Sequence, residues 1–233
     1  MEKVKIAMVD YMYVAPLHEA VGKASEVTGG RLDFHFYDPR DVEAERVDKE
    51  ALVNDLKNSD IVLLNVMGGD KIAKIVCDTL KDAKNTVVVF VGGSSEIVNL
   101  TRLGSFSFRT LSRMGMDRGK VDYEKVLRMR ERFEKLGNRL PIGMLKHARN
   151  YVRLLKYYEN PTFENYYSML LFLMKEYGGI KIDVDIPEPK VLPPMGIINF
   201  KNGEIFSNLE DYLEKYEFRD YPLVGILFYG GRH

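Results

Sequence analysis

The first hundred residues predict an α/β fold, a parallel sheet covered on both faces. Two observations carry that expectation. Strand-like and helix-like runs alternate through this stretch, the pattern that specifies such a sheet. Two of the strand-like runs, IVLLNVM and TVVVFV, are almost unbroken apolar stretches rich in β-branched residues, as central strands buried on both faces require. Another run, LDFHFY, instead alternates Leu32, Phe34 and Phe36 with Asp33 and His35, which marks an edge.

In chain order the strands fall at residues 4–10, 32–37, 61–67 and 86–91, and the helices between them at 16–28, 49–58 and 70–82. Asp48 and Gly69-Asp70 supply helix starts, and Gly29-Gly30 a stop. Right-handed crossovers favour the strand order 2-1-3-4, so this part is flavodoxin-like or Rossmann-like.

After Gly92-Gly93 the rhythm changes. From about residue 106 to 177 the periodicity is helical with no convincing strand, with helices expected at 123–136, 141–158 and 162–177, the last stopped by Gly178-Gly179. Extended character returns at 180–186. The prolines of IPEPKVLPP favour a rigid extended link over a central strand. Ser207 is placed to cap a short helix at 208–216, and PLVGILFY at 222–229 reads as a returning buried strand. A parallel strand is ordinarily followed by a crossover helix, so this last run begins or completes a second α/β unit. The chain divides accordingly into a Rossmann-like α/β domain at 1–105, a helical segment at 106–179, and a link, short helix and strand at 180–233.

Composition is that of an ordinary globular protein, with 45% hydrophobic and 29% charged residues. The single cysteine, Cys77, lies in the apolar-periodic stretch KIAKIVCDTL; it excludes an intrachain disulfide and reads as a small buried hydrophobe in a reducing compartment. MEKVKIAMVD opens with charges and passes into a strand pattern, and no apolar run approaches the ~20 residues of a membrane span, so a cytoplasmic chain without a span is expected. Net charge is zero overall, yet residues 101–160 hold 15 Lys and Arg against 6 Asp and Glu. The middle of the chain is the basic part.

Asp10, Gly68, Gly69, Gly92, Gly93, Ser94 and Ser95 all follow the carboxyl ends of strands one, three and four, the edge where open α/β sheets bind ligands. Glycines let a ligand approach backbone, and a helix opened by Ser94-Ser95 would offer free N–H groups to an anion. The same residues equally make tight turns and a helix cap. For an anion binder at this edge, Gly93→Asp is the discriminating change. No GxGxxG or GxxxxGK[ST] occurs, so a nucleotide fingerprint is absent.

Arg128, Arg132, Arg139, Lys146, His147 and Arg149 form a candidate basic docking face for a polycarboxylate or an acidic partner, with a solvated charged face as the commoner alternative. Glu124, Glu131 and Glu134 interrupt it, and no nucleic-acid signature is present. The four histidines have neither an i, i+4 pair nor HExxH, so no metal site is expected. His147 is either ligand-facing or a packing residue. The aromatic residues of 151–172 fall at helix-packing spacings.

YYENPTFENYYSMLLFLMKEYGG carries a Glu-Asn pair, Glu164 and Asn165, opening an apolar helix. PKVLPPMGIINFKNGEIFSNLEDYLEKY is a proline-flanked block with Pro194, Gly196 and Phe206 that ends in a short helix holding Tyr212 and Leu213, and YPLVGILFYGGRH is a closing apolar strand. At these residues the three segments together resemble the large subunit of cobaltochelatase and magnesium chelatase. Where the family reads Gly-Ile-Tyr-His-Pro, this chain has Gly196-Ile197-Ile198-Asn199-Phe200, so a histidine role does not carry over.

The resemblance implies a head region of a ligase complex of cobalamin biosynthesis or its magnesium counterpart. That complex inserts cobalt or magnesium into a tetrapyrrole, using ATP and Mg2+ through separate ATPase subunits. It implies no cofactor held by this chain and no catalytic residue within it. Two other readings of the residues stay open: a non-catalytic module that docks partner subunits, and a flavodoxin-like binder of a small anion.

Overall fold

The computed structural model describes residues 3–113, 142–192, 196–199 and 204–215, and the chain forms two compact units, Met1–Lys190 and Val191–His233. The first unit is built on a six-stranded sheet in the order β2-β1-β3-β4-β5-β6. β1 (Val4–Val9), β2 (Leu32–Tyr37), β3 (Ile61–Val66) and β4 (Thr86–Gly92) are parallel. β2, the alternating run, lies at the edge.

The expected four-strand order is thus present, but the sheet is mixed rather than wholly parallel. β5 (Arg102–Leu103) adds antiparallel to β4, and β6 (Phe106–Ser107) antiparallel to β5. Strand β6 falls where helical character alone was expected, because two residues are too short to leave a period. Position is fixed instead by side chains: the Arg102 guanidinium donates to Asn85 O at 2.8 Å and Leu80 O at 2.9 Å, pinning β5 beside β4.

Alternation along the strands divides the core in two. Ile6, Met8, Leu63, Val88 and Phe90 face one layer, formed by α1 (Ala15–Val27), α7 (Ile142–Glu159) and α8 (Phe163–Glu176). Ala7, Val9, Val62, Leu64, Val87 and Val89 face the other, formed by α3 (Lys49–Asn58), α4 (Asp70–Leu80) and the short α5 (Ser95–Val98). α1 buries Leu17, Ala20 and Ala24; two of these are alanines, so α8 can pack close against it. The short helices α2 (Pro39–Glu43) and α6 (Phe108–Arg113) were not legible as periodic runs.

Tyr151, Tyr157, Tyr158 and Tyr166 are wholly buried in the first layer. Buried phenols need partners: Tyr151 donates to Val89 O at 2.8 Å, and Tyr157 to Pro187 O. Tyr157, Arg153 and Asn165 together hold the segment 186–190. The Arg153 guanidinium donates to Ile186 O at 2.8 Å, and the Asn165 side chain exchanges two hydrogen bonds with the Lys190 backbone, at 2.8 and 2.9 Å.

In the second unit, β7 (Ile197–Asn199) and β8 (Glu204–Phe206) pair antiparallel where an extended link was expected, and α9 (Leu209–Lys215) follows. Asn208 Oδ1 accepts from Asp211 N at 2.8 Å, so Asn208 rather than Ser207 caps that helix. The helix expected at 123–136 and the strand at 222–229 lie outside the described residues.

Candidate functional site at the carboxyl edge of the sheet

In the order 2-1-3-4 the connections reverse direction between β1 and β3, so the crevice of an open sheet lies above the ends of these two strands. Asp10 leaves β1 there, fully buried. Its carboxylate accepts from Tyr158 Oη at 2.6 Å, Asn65 Nδ2 at 3.0 Å and Met12 N at 3.2 Å. Asn65 Nδ2 also donates to Tyr158 Oη at 2.8 Å, closing a triangle. The Tyr158 ring stacks on Phe90 with centroids 3.9 Å apart and planes 1° from parallel. A helix 148 residues further along the chain therefore fills the crevice with a phenol.

Above this plug the loops lock together. Tyr11 Oη donates to Gly68 O at 2.9 Å and accepts from Gly68 N at 3.2 Å, while Arg40 donates to Tyr11 O at 2.6 Å. Gly69, with φ +92°, starts α4 without a capping side chain. Glu43 Oε1 supplies the cap by accepting from Ile72 N at 2.8 Å, and a β-carbon on Gly69 would stand 2.6 Å from that oxygen. The amide end of α4 thus already holds a carboxylate from its own chain.

All seven edge residues come to one side of the sheet because β1, β3 and β4 are parallel neighbours. Their roles differ. Asp10 is buried; Gly68, Gly69, Gly93 and Ser94 are exposed. Gly93 permits a close crossing, since a β-carbon there would lie 2.1 Å from Met67 O, and one on Gly92 would lie 2.8 Å from Val98 Cγ2. Ser94 caps α5, accepting from Ile97 N at 3.3 Å, and Ser95 is the first residue of that helix. Around them Met12, Tyr13 and Met67 stand 45%, 43% and 52% exposed, an apolar ledge.

Of the basic face, Arg128, Arg132 and Arg139 lie outside the described residues. Lys146 pairs with Glu176 at 2.8 Å, and Arg149 is exposed. His147 Nδ1 lies 3.0 Å from Tyr177 Oη, and its Nε2 would stand 2.2 Å from a β-carbon on Gly104, so the ring packs over the β5–β6 turn. Burial lowers the His147 pKa, the neighbouring Lys146 lowers it further, and Glu176 opposes both. Among the described residues no three His, Cys, Asp or Glu side chains converge on a metal position.

Sequence reasoning missed Asn65, Tyr158 and Glu43. Asn65 had a signal: it is the one polar side chain inside IVLLNVM, and a buried amide needs partners. Its Oδ1 is buried with no hydrogen-bond partner among the described residues.

Residues 3–159 match the family described as Domain of unknown function (DUF3479), and residues 155–233 match CobN/Magnesium Chelatase. The chain belongs to the DUF3479 family, and its last third is similar to CobN/Magnesium Chelatase. It is also similar to the uncharacterized protein MJ0908 of Methanocaldococcus jannaschii, 32% identical over 81 residues, a stretch covering 33% of this chain and 6% of that protein.

The two matches overlap at 155–159, the last residues of α7, and the first helix of the chelatase match, α8, packs on α1 of the sheet domain. The Glu-Asn pair opens α8. Asn165 is its structural half, 2% exposed and joined to Lys190, while Glu164 is exposed in the first turn. Phe206 and Tyr212 meet edge to face, centroids 5.4 Å apart. No helix among the described residues is long and apolar enough to cross a membrane.

Proposed function

We propose that this chain is the head of a large subunit that holds or covers a tetrapyrrole while a complex inserts cobalt or magnesium into it. The observation that carries the reading is the CobN/Magnesium Chelatase match over residues 155–233, whose first helix shares a core with the sheet domain. On this reading ATP and Mg2+ are used by separate ATPase subunits, the inserted metal is substrate, and the chain contributes surface rather than reacting groups. The exposed Met12, Tyr13 and Met67 ledge suits an apolar macrocycle face.

The chain has 14 tyrosines and no tryptophan, so tyrosine emission is a clean probe. Titration with a cobalt-free corrinoid precursor, and separately with protoporphyrin, should quench that emission saturably. Capture of the ATPase subunits with no quenching by either macrocycle would reject the macrocycle role and leave a docking module.

A further inference from the structure

Away from the carboxyl edge, a cavity of about 600 Å³ opens between α2, α3 and α4, within the size range of small-molecule sites. Its floor is apolar. Val42 and Leu52 are buried beneath it, and Val47, Val53 and Ile75 are half-buried along it. Its rim is cationic, with Lys49, Lys57, Lys71 and Lys74 set against Glu45 and Asp78.

These lysines are not equally committed. Lys71 Nζ is held by Glu45 Oε1 at 2.6 Å and by Glu43 O at 3.1 Å, and the bridge holds the Glu45 carboxyl below its ordinary pKa. Lys49, Lys57 and Lys74 form no ion pair among the described residues. Three uncommitted ammonium groups thus ring a floor that water wets poorly. A neutral apolar molecule would cover the floor and leave the ammonium groups unused; a small hydrophilic dianion would pair with them and leave the floor bare. Charge and surface are both matched by a molecule with an apolar body and anionic margins. Lysine stems lying over the floor are the alternative use of the same residues.

We propose that the α2–α3–α4 groove binds a small amphipathic polyanion, its body on Val47, Val53 and Ile75 and its carboxylate-type groups on Lys49, Lys57 and Lys74. The inference stands on the groove alone and holds whether or not the chain handles a tetrapyrrole.

The test is an amide-detected NMR titration of the whole chain with bis-ANS, an aromatic body with two sulfonates. Saturable shifts are expected at Val53, Ile75 and Thr79. Lys49→Gln with Lys74→Gln should weaken binding about tenfold, as loss of two exposed charge pairs implies, with thermal unfolding unchanged. Nile red, apolar and neutral, should bind this groove at least about tenfold more weakly. Shifts confined to other surfaces, a double variant that binds like the parent, or equal binding of Nile red would overturn the proposal. So would displacement of bis-ANS by an acidic helical peptide but not by hexadecanedioate, which would make the groove a docking surface for protein.

Discussion

A β-carbon on Gly93 would stand 2.1 Å from the Met67 carbonyl oxygen, and backbone cannot step aside as a side-chain end can. Gly93→Asp therefore disturbs the fold as well as the edge, and the anion test that the sequence offered is not a clean one. The better single-residue probe is Tyr158. Removing its hydroxyl takes one of several donors, the one at 2.6 Å, from the buried Asp10 carboxylate, and loss of one such hydrogen bond costs about 0.5–1.5 kcal/mol. Tyr158→Phe should lower the unfolding free energy by that amount in urea titrations followed by circular dichroism. Asp10 itself was legible, because a carboxylate at the end of a first strand is conspicuous. Its partner was not, because 148 residues separate the two and no local pattern spans that distance. Cys77 was legible as well: it is buried, and burial, with the charges of Glu96 and Asp78, pushes its thiol up to about 11.

At the scale of elements, β2 and α3 lie at the expected residues, and β1, β3 and β4 are within one residue of theirs, because long apolar runs and an Asp48 cap leave little choice. What escaped notice was short. α2 has five residues and β5 and β6 have two each, too few for a pattern of period 3.6 or 2 to repeat twice, and their places are set by Arg102, Asn85 and Glu43 acting across the chain. The clip between α8 and residue 190 belongs to the same class. Asn165→Ala removes both side-chain bonds to the Lys190 backbone, so hydrogen exchange at the Lys190 amide should accelerate while exchange in β1 and β3 stays as slow as in the parent. Acceleration across the whole sheet would mean that Asn165 supports the core rather than the segment.

For the molecule as a whole, one carboxylate ties the sheet to a helix layer. Asp55 of α3 accepts from Lys5 Nζ of β1 at 2.7 Å and from Tyr37 Oη of β2 at 2.6 Å, and lies 2.8 Å from His35 Nδ1. Burial pushes its carboxyl up, but the hydrogen bonds from Lys5 and Tyr37 and the charges of His35 and Lys5 outweigh that and hold it below the usual carboxylate value of 3.8. A depressed folded-state pKa gives stability that is present above the unfolded value and lost as pH falls through the folded one. The parent should thus weaken as pH drops below about 4, and Asp55→Asn should show a shallower acid dependence from a lower starting stability. The overlap of the two family matches inside α7 has a consequence of another kind, one of inheritance. A recombination breakpoint at residues 155–159 would fall within a helix and part α8 from the α1 surface it covers, so a chain that inherited the DUF3479 portion without the opening of the chelatase portion would leave that α1 surface bare.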